Sequence, residues 1–148
     1  MKQAWQIRQA EQRDAVGLQT CMELAYSPYQ ERMGGLRLPP MDVDYAAEIA
    51  NFPTWVALSE GKVVGGLIMV FEPEIASIAN IAVHPEFQGN GLGGGLMKFA
   101  ENEAIERGYS RMGLATHVLL TENLSLYTHL EWQEIDRDET RVYMEKPI

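Results

Sequence analysis

Five of the seven residues from Gly89 to Gly95 are glycine, set between a β-branched stretch ending at Val83 and an apolar repeat that begins at Leu92. Each glycine inside a helix costs about 1 kcal/mol relative to alanine, so this density at a helix start calls for a reason. Close backbone approach to an anion supplies one: unpaired amides and the positive end of the helix dipole together hold a phosphate. The alternative is a flexible turn with a glycine-rich packing face. Gly89-Asn90-Gly91-Leu92-Gly93-Gly94 also fits the dinucleotide pattern G-x-G-x-x-G, but residues 84–88 separate it from its strand. Leu114-Ala115-Thr116-His117 stands where an acidic residue would end the next strand. No Gly-Lys-Ser/Thr follows the glycines, which excludes a P-loop ATPase.

The rest of the chain frames this loop. Residues 4–9 read as a strand with Trp5 and Ile7 on one face, and Asp14 is placed to cap a helix bearing Leu18, Met22 and Ala25 on one stripe. That helix is expected to end before Pro28, because a proline pushes its predecessor out of the α region. Residues 26–42 mix glycine, proline, aromatics, methionine and arginine, a composition suited to a loop over a site or to a connector. Asp42 or Asp44 caps a short helix with Tyr45, Ile49 and Phe52 on one stripe. Thr54–Glu60 and Lys62–Phe71 form a hairpin about Gly61, and Ile75–Val83 is a strand buried on both faces. A helix over 91–107 turns Leu92, Leu96, Phe99 and Ala100 inward and stops at Gly108. Arg111–Thr116 is a strand, Thr121 caps a helix over 122–130, and residues 132–136 and 140–146 close as an antiparallel pair. The order β-α-α-β-β-β-α-β-α-β-β is a mixed α/β plan in one domain, 1–148, and not a simple parallel doubly wound sheet.

Composition narrows the function classes. A net charge of −9 opposes binding to a nucleic-acid backbone and favours, weakly, a cationic acceptor. One cysteine, Cys21, permits no intramolecular disulfide, and no Cys/His cluster has metal-ligand spacing. The polar start, Met1 to Gln6, has no apolar signal core, and no apolar run reaches the ~20 residues of a membrane span, so a cytoplasmic, membrane-free protein is expected.

Gln88-x-x-Gly91-x-Gly93 resembles the pyrophosphate loop of the GNAT acetyltransferase superfamily. Asn80-Ile81-Ala82-Val83-His84-Pro85 is similar to that family's fourth strand and its exit. Asn123-Leu124-Ser125-Leu126-Tyr127 is similar to its Asn-x-x-x-x-Tyr segment, with one position fewer. The resemblance implies a GNAT fold: a mostly antiparallel six- to seven-stranded mixed sheet with a splayed central pair and about four flanking helices. It implies acetyl-CoA as cofactor, held by Ile81, Ala82, Val83, Gln88, Gly89, Asn90, Gly91, Leu92, Gly93, Gly94, Asn123 and Tyr127. It also implies transfer of acetyl to a primary amine by direct attack in a ternary complex, with Tyr127 as general acid.

Asn123 and Tyr127, four residues apart, share one helix face, and Leu126 and Leu130 share another that suits the core. Many relatives carry a base glutamate where this chain has Ala79. That leaves Glu72, Glu74, His84, His117 or water, with His117 placed first for lying nearest Tyr127 in sequence. The acceptor, a small-molecule or peptide amine, is expected against Tyr26, Tyr29, Arg32, Met33 and Tyr45, with Met41 beside them. Glu131-Trp132 stands where the family has Gly-Phe, so the turn there is expected to be strained or reshaped. Without a glutamate at position 79, a non-catalytic acyl-CoA binder or regulator is the alternative; a nucleotide-dependent oxidoreductase is a distant third. The last two strands leave room for a homodimer.

Overall fold

The computed structural model describes residues 4–148; Met1–Gln3, part of the polar start, lie outside the described residues. Seven strands, β1 (Gln6–Gln9), β2 (Thr54–Ser59), β3 (Lys62–Phe71), β4 (Ala76–Val83), β5 (Arg111–His117), β6 (Gln133–Arg137) and β7 (Arg141–Pro147), form one sheet. Four helices accompany them: α1 (Ala15–Arg32), α2 (Tyr45–Asn51), α3 (Leu92–Glu106) and α4 (Thr121–His129). The strand order is β1-β2-β3-β4-β5-β7-β6, and only β4 and β5 run parallel. A parallel doubly wound sheet, the fold expected of the oxidoreductase reading, is thereby ruled out.

The apolar run of β3 is long because both of its faces are covered. On one side α1 and α2 bring Leu18, Met22 and Tyr45 against Val56, Ile68 and Ala82. On the other, α3 and α4 bring Leu92, Leu96, Ala100 and Tyr127 against Leu67, Met69, Leu114 and Met144. Gly65 and Gly66 permit this double approach. A Cβ on Gly66 would stand 2.3 Å from Leu18 Cδ1, and one on Gly65 would stand 3.1 Å from Leu96 Cδ1.

Several local expectations hold. Glu60 (φ 51°) and Gly61 (φ 78°) make the two-residue hairpin turn between β2 and β3. The Asp44 side chain accepts the Ala47 N–H at the start of α2, and Gly108 (φ 86°) follows the end of α3. Others are corrected. Helix α1 does not stop before Pro28 but continues to Arg32. Pro28 leaves the Leu24 carbonyl without an amide partner, and the Ser27 hydroxyl donates to that carbonyl at 3.4 Å. Asp14 does not cap α1; its carboxylate takes the Glu11 N–H and a two-pronged Arg8 contact at 2.7 and 3.0 Å. Thr121 is the first residue of α4, and its hydroxyl donates to Glu122. Phe52 lies past α2 with extended backbone and 40% exposure, off the expected stripe. The faces of α4 are only partly as expected: Leu130 packs against the core, but Leu126 is 42% exposed, whereas Tyr127 is buried. No helix among the described residues is long and apolar enough to cross a membrane.

Candidate active site

The site begins with a bulge. Ile68 pairs with Asn80 and Met69 with Ile78, so Ala79 is an extra residue in β4 with no opposite number on β3. A bulge bends its strand and sharpens the local twist. Strand β4 pairs with β5 only through Ala76–Met112, Ser77–Gly113 and Ile78–Leu114. Past Ala79 the two strands part, although β4 continues to Val83 and β5 to His117.

The backbone polar groups exposed by this splay follow from register. His84 N–H donates to Val64 O at 2.8 Å. Alternation then turns the polar groups of Asn80 and Ala82 toward β3 and those of Ile81 and Val83 into the gap. The two gap-facing carbonyls each hold a side-chain donor: the Tyr26 hydroxyl on Ile81 O at 3.1 Å, and Gln88 Nε2 on Val83 O at 3.2 Å. Ala82, expected to bind the cofactor, is instead turned away.

Past His84, a single 3-10 turn (Pro85–Phe87) leads into α3, with Gly89 at φ 82° and Gly91 at φ 88°. Gly91 is the N-cap, left-handed, a conformation that costs a residue with a Cβ about 1–2 kcal/mol. The amides of Leu92, Gly93 and Gly94 open the helix and have no carbonyl a turn earlier. A Cβ built on Gly89 or Gly94 would meet nothing within 4 Å, so the space beside this turn is open. Leu92 is fully buried as a residue, so the accessible amides of this opening turn are those of Gly93 and Gly94, and Leu92, expected to bind the cofactor, faces the core. Gly91 and Gly95 lie against the Trp5 ring, where a Cβ on Gly91 would stand 3.8 Å from it and one on Gly95 3.5 Å. The donor set therefore fits a pyrophosphate at the helix end and an amide-bearing chain along the gap.

Beside the splay lies a cleft of about 490 Å³ lined by Tyr26, Ala79, Asn80, Ile81, Asn123 and Tyr127. It extends over Leu38–Pro40 and over the outer face of β5 and β7, where His117, Arg141, Tyr143 and Glu145 stand. Tyr127 is 6% exposed. Burial, with a smaller contribution from Tyr29, pushes its hydroxyl up to about 12, so it holds its proton at neutral pH. No group among the described residues hydrogen-bonds that hydroxyl, which is left available to the cleft.

The expected bases fall in unequal places. Glu72 and Glu74 are exposed in the β3–β4 turn, at the end where β4 and β5 are still paired. His84 is buried, and its Nδ1 accepts the Glu86 N–H at 3.1 Å. His117 lines the cleft, but its Nδ1 accepts the Leu119 N–H at 3.1 Å. A neutral ring with Nδ1 occupied as acceptor carries its proton on Nε2 and presents a donor, not a base.

Of the expected acceptor residues, Tyr26 lines the cleft. Tyr29 and Arg32 stack at 5.2 Å, and Arg32 ties α1 to α4 through Glu122 at 2.9 Å and Leu119 O at 3.1 Å. Tyr45 is buried, donates to Pro40 O and accepts from Asn80 Nδ2 at 3.2 Å, so it braces the cleft from behind. Met41 belongs to the core, and Met33 caps the end of α1. Pro39 and Pro40 belong to the 26–42 stretch read as a loop over a site or a connector; missed from the sequence were Arg141 and Tyr143. Only the pairing of β7 with β5 brings these two to the cleft.

A mixed sheet whose one parallel pair is splayed by a bulge, with a glycine-entered helix at the mouth of the gap, defines an acetyltransferase class of fold. Residues 18–132 match the Acetyltransferase (GNAT) family, and the chain belongs to it. It is 35% identical over 86 residues to the uncharacterized N-acetyltransferase YjgM of Escherichia coli K12, covering 55% of this chain and 52% of that protein. The chain thus spans about half the length of that relative. The PaiA N-acetyltransferase of Thermoplasma acidophilum, solved in complex with coenzyme A, superposes with a TM-score of 0.85 at 17% identity, over 98% of this chain and 99% of that one. The ribosomal-protein-S18-alanine N-acetyltransferase of E. coli superposes at 0.80 with 20% identity, over 98% and 94%. Both share the fold.

Proposed function

We propose that this chain is an acetyl-CoA-dependent acyltransferase acting on a primary amine of a small molecule or peptide, by direct attack in a ternary complex. The observation that carries this reading is the convergence of Ile81, Asn123 and the protonated Tyr127 on one cleft at the splay. Gln88, Gly89, Asn90, Gly91, Gly93 and Gly94 would hold the pyrophosphate. The gap-facing amides of Ile81 and Val83 would hold the pantetheine arm. When bound, acetyl-CoA supplies the thioester carbon for attack and the thiol as leaving group. Tyr127 holds a proton at Oη and delivers it within the cleft. The methyl group of Ala79 leaves space in which water takes the proton from the attacking amine, and His117 serves as a hydrogen-bond donor beside it.

A thermal-shift titration with acetyl-CoA, CoA, NADH and ATP tests the cofactor, since a ligand selective for the folded state raises apparent stability. Stabilisation by acetyl-CoA and CoA alone is expected, followed by thiol release with an amine panel. A shift with NADH and none with CoA would overturn the reading. The bare Ala79 position favours one alternative, a non-catalytic acyl-CoA binder; that protein would be stabilised by CoA and would release no thiol with any amine.

A further inference from the structure

The chain has eight arginines and a net charge of −9. Seven arginines hold a carboxylate: Arg8, Arg13, Arg32, Arg37, Arg107, Arg111 and Arg137. The eighth, Arg141, has no ion-pair partner among the described residues, and it lines the cleft. In a chain with 21 acidic residues, an unpaired guanidinium at this position needs a reason. The nearest acid along the chain, Glu139, is exposed in the β6–β7 turn and forms no ion pair with it, and Asp138, one residue further, is already occupied. Its Oδ1 takes the N–H groups of Thr140 and Arg141 at 2.9 and 2.7 Å, and its Oδ2 takes the Tyr143 hydroxyl at 3.2 Å. These backbone N–H bonds hold its carboxyl below the usual range. The one carboxylate that lines the cleft, Glu145, is paired with Arg111 at 3.1 Å.

The cleft is therefore locally cationic in an acidic protein, opposite to what the net charge suggests for an acceptor. A dication or polyamine would meet an uncompensated guanidinium there. An anion would meet a planar fork of donors suited to two-pronged contact with a carboxylate. Register places the fork near the chemistry: Arg141 stands directly opposite His117 at the open end of β5, the end from which α4 carries Asn123 and Tyr127.

We infer that the acceptor is an amine that also carries a carboxylate, an amino acid or a close analogue, and that Arg141 determines this specificity by binding the carboxylate. The inference rests on the acyltransferase reading and names its substrate class. Arg141 is exposed at the start of an edge-proximal strand, so its replacement should not unfold the chain.

The test compares thiol release for matched acceptors: lysine with cadaverine, phenylalanine with phenethylamine and with phenylalanine amide, and O-phosphoethanolamine as a phosphate-bearing amine. The wild type is expected to favour the carboxylate member of a pair by about tenfold or more in kcat/KM. Arg141→Gln should abolish that preference chiefly through KM with kcat little changed, and Arg141→Lys should restore part of it. Arg137→Gln, which removes a paired arginine outside the cleft, should change nothing. Parallel thermal shifts of the CoA-saturated protein report carboxylate binding where turnover is slow. Equal use and equal binding of both members of each pair, or use of O-phosphoethanolamine alone, would overturn the inference while leaving the acyltransferase reading intact. No stabilisation by acetyl-CoA would overturn that reading and the inference with it.

Discussion

Helices α3 and α4 lie on the same face of the sheet, and the proposed cofactor site draws on both, yet on different parts of the chain. Helix α3 offers its first amides and two left-handed glycines, Gly89 and Gly91, and its side chains go to the core. Helix α4 offers the side chains of Asn123 and Tyr127. A site built from backbone should tolerate most changes of side chain and fail when a Cβ is added where φ is positive. A site built from side chains should fail when one atom is removed.

The largest expected effect is therefore on α4. Tyr127→Phe removes one hydroxyl and should lower kcat by on the order of 100-fold, the lower range for a positioned acid. Acetyl-CoA affinity should stay nearly constant, as measured by steady-state kinetics beside a binding titration. Unchanged kcat would remove Tyr127 as the acid and leave α4 a packing element only. Next comes α3. Gly91→Val forces a β-branched residue to φ 88° beside the Trp5 ring and should weaken acetyl-CoA binding by roughly tenfold to 100-fold. Calorimetry measures this directly; unaltered affinity would mean that the amides of this turn do not hold the cofactor.

A pH dependence follows from the same contrast, because amides do not titrate and a buried tyrosine does. Burial raises Tyr127 to about 12, and it also raises Tyr26 and Tyr45 above the ordinary tyrosine value of about 10. Above pH ~10 the unfolded chain releases protons that the native state still holds, so stability falls progressively as pH rises through that window. The urea midpoint should decline between pH 9.5 and 11 (roughly, from the ordinary tyrosine value), and less steeply in Tyr127→Phe. A flat midpoint in the wild type would show that these hydroxyls are not buried as described.

How far the two helices could be read in advance differs for the same reason. The start of α3 was legible because glycine is the residue that a left-handed N-cap requires, and five glycines fall among the seven residues from Gly89 to Gly95. The succession of strands and helices along the chain was legible from the turns and periodicities. Helix α4 was only half legible: the Asn123–Tyr127 spacing is correct, but Leu126 and Tyr127 exchange the roles that hydrophobicity alone assigns. Tyr127 is drawn inward by Trp132, whose ring lies 6.3 Å away, a contact that depends on how the helix ends. Pro28 misled because a neighbouring serine hydroxyl can replace the lost amide. Arg141 was invisible because no local pattern records which strand β7 lies beside.

The smallest effect concerns the other ends of the two helices, which close in the same way with different residues. After α3, Gly108 N–H reaches Ile105 O and Tyr109 N–H reaches Ala104 O, both at 3.0 Å. After α4, Glu131 N–H reaches Thr128 O at 3.1 Å and Trp132 N–H reaches Tyr127 O at 2.9 Å. Both are Schellman closures with the residue after the C-cap left-handed, but α3 uses glycine at φ 86° and α4 uses glutamate at φ 74°. The strain expected from Glu131 is thus present, and it sits one residue from the tryptophan that holds Tyr127 inward. Glu131→Gly removes about 1–2 kcal/mol of left-handed strain and returns about 0.4–1 kcal/mol of unfolded-chain entropy. The net gain should be roughly 0.5–1 kcal/mol, a rise of about 1–4 °C in Tm for a domain of this size, with kcat unchanged. The reciprocal Gly108→Ala should lower Tm by a similar amount. If Glu131→Gly instead lowers both Tm and kcat, the glutamate side chain holds the end of α4 in place, and the likeness of the two closures ends at their hydrogen bonds.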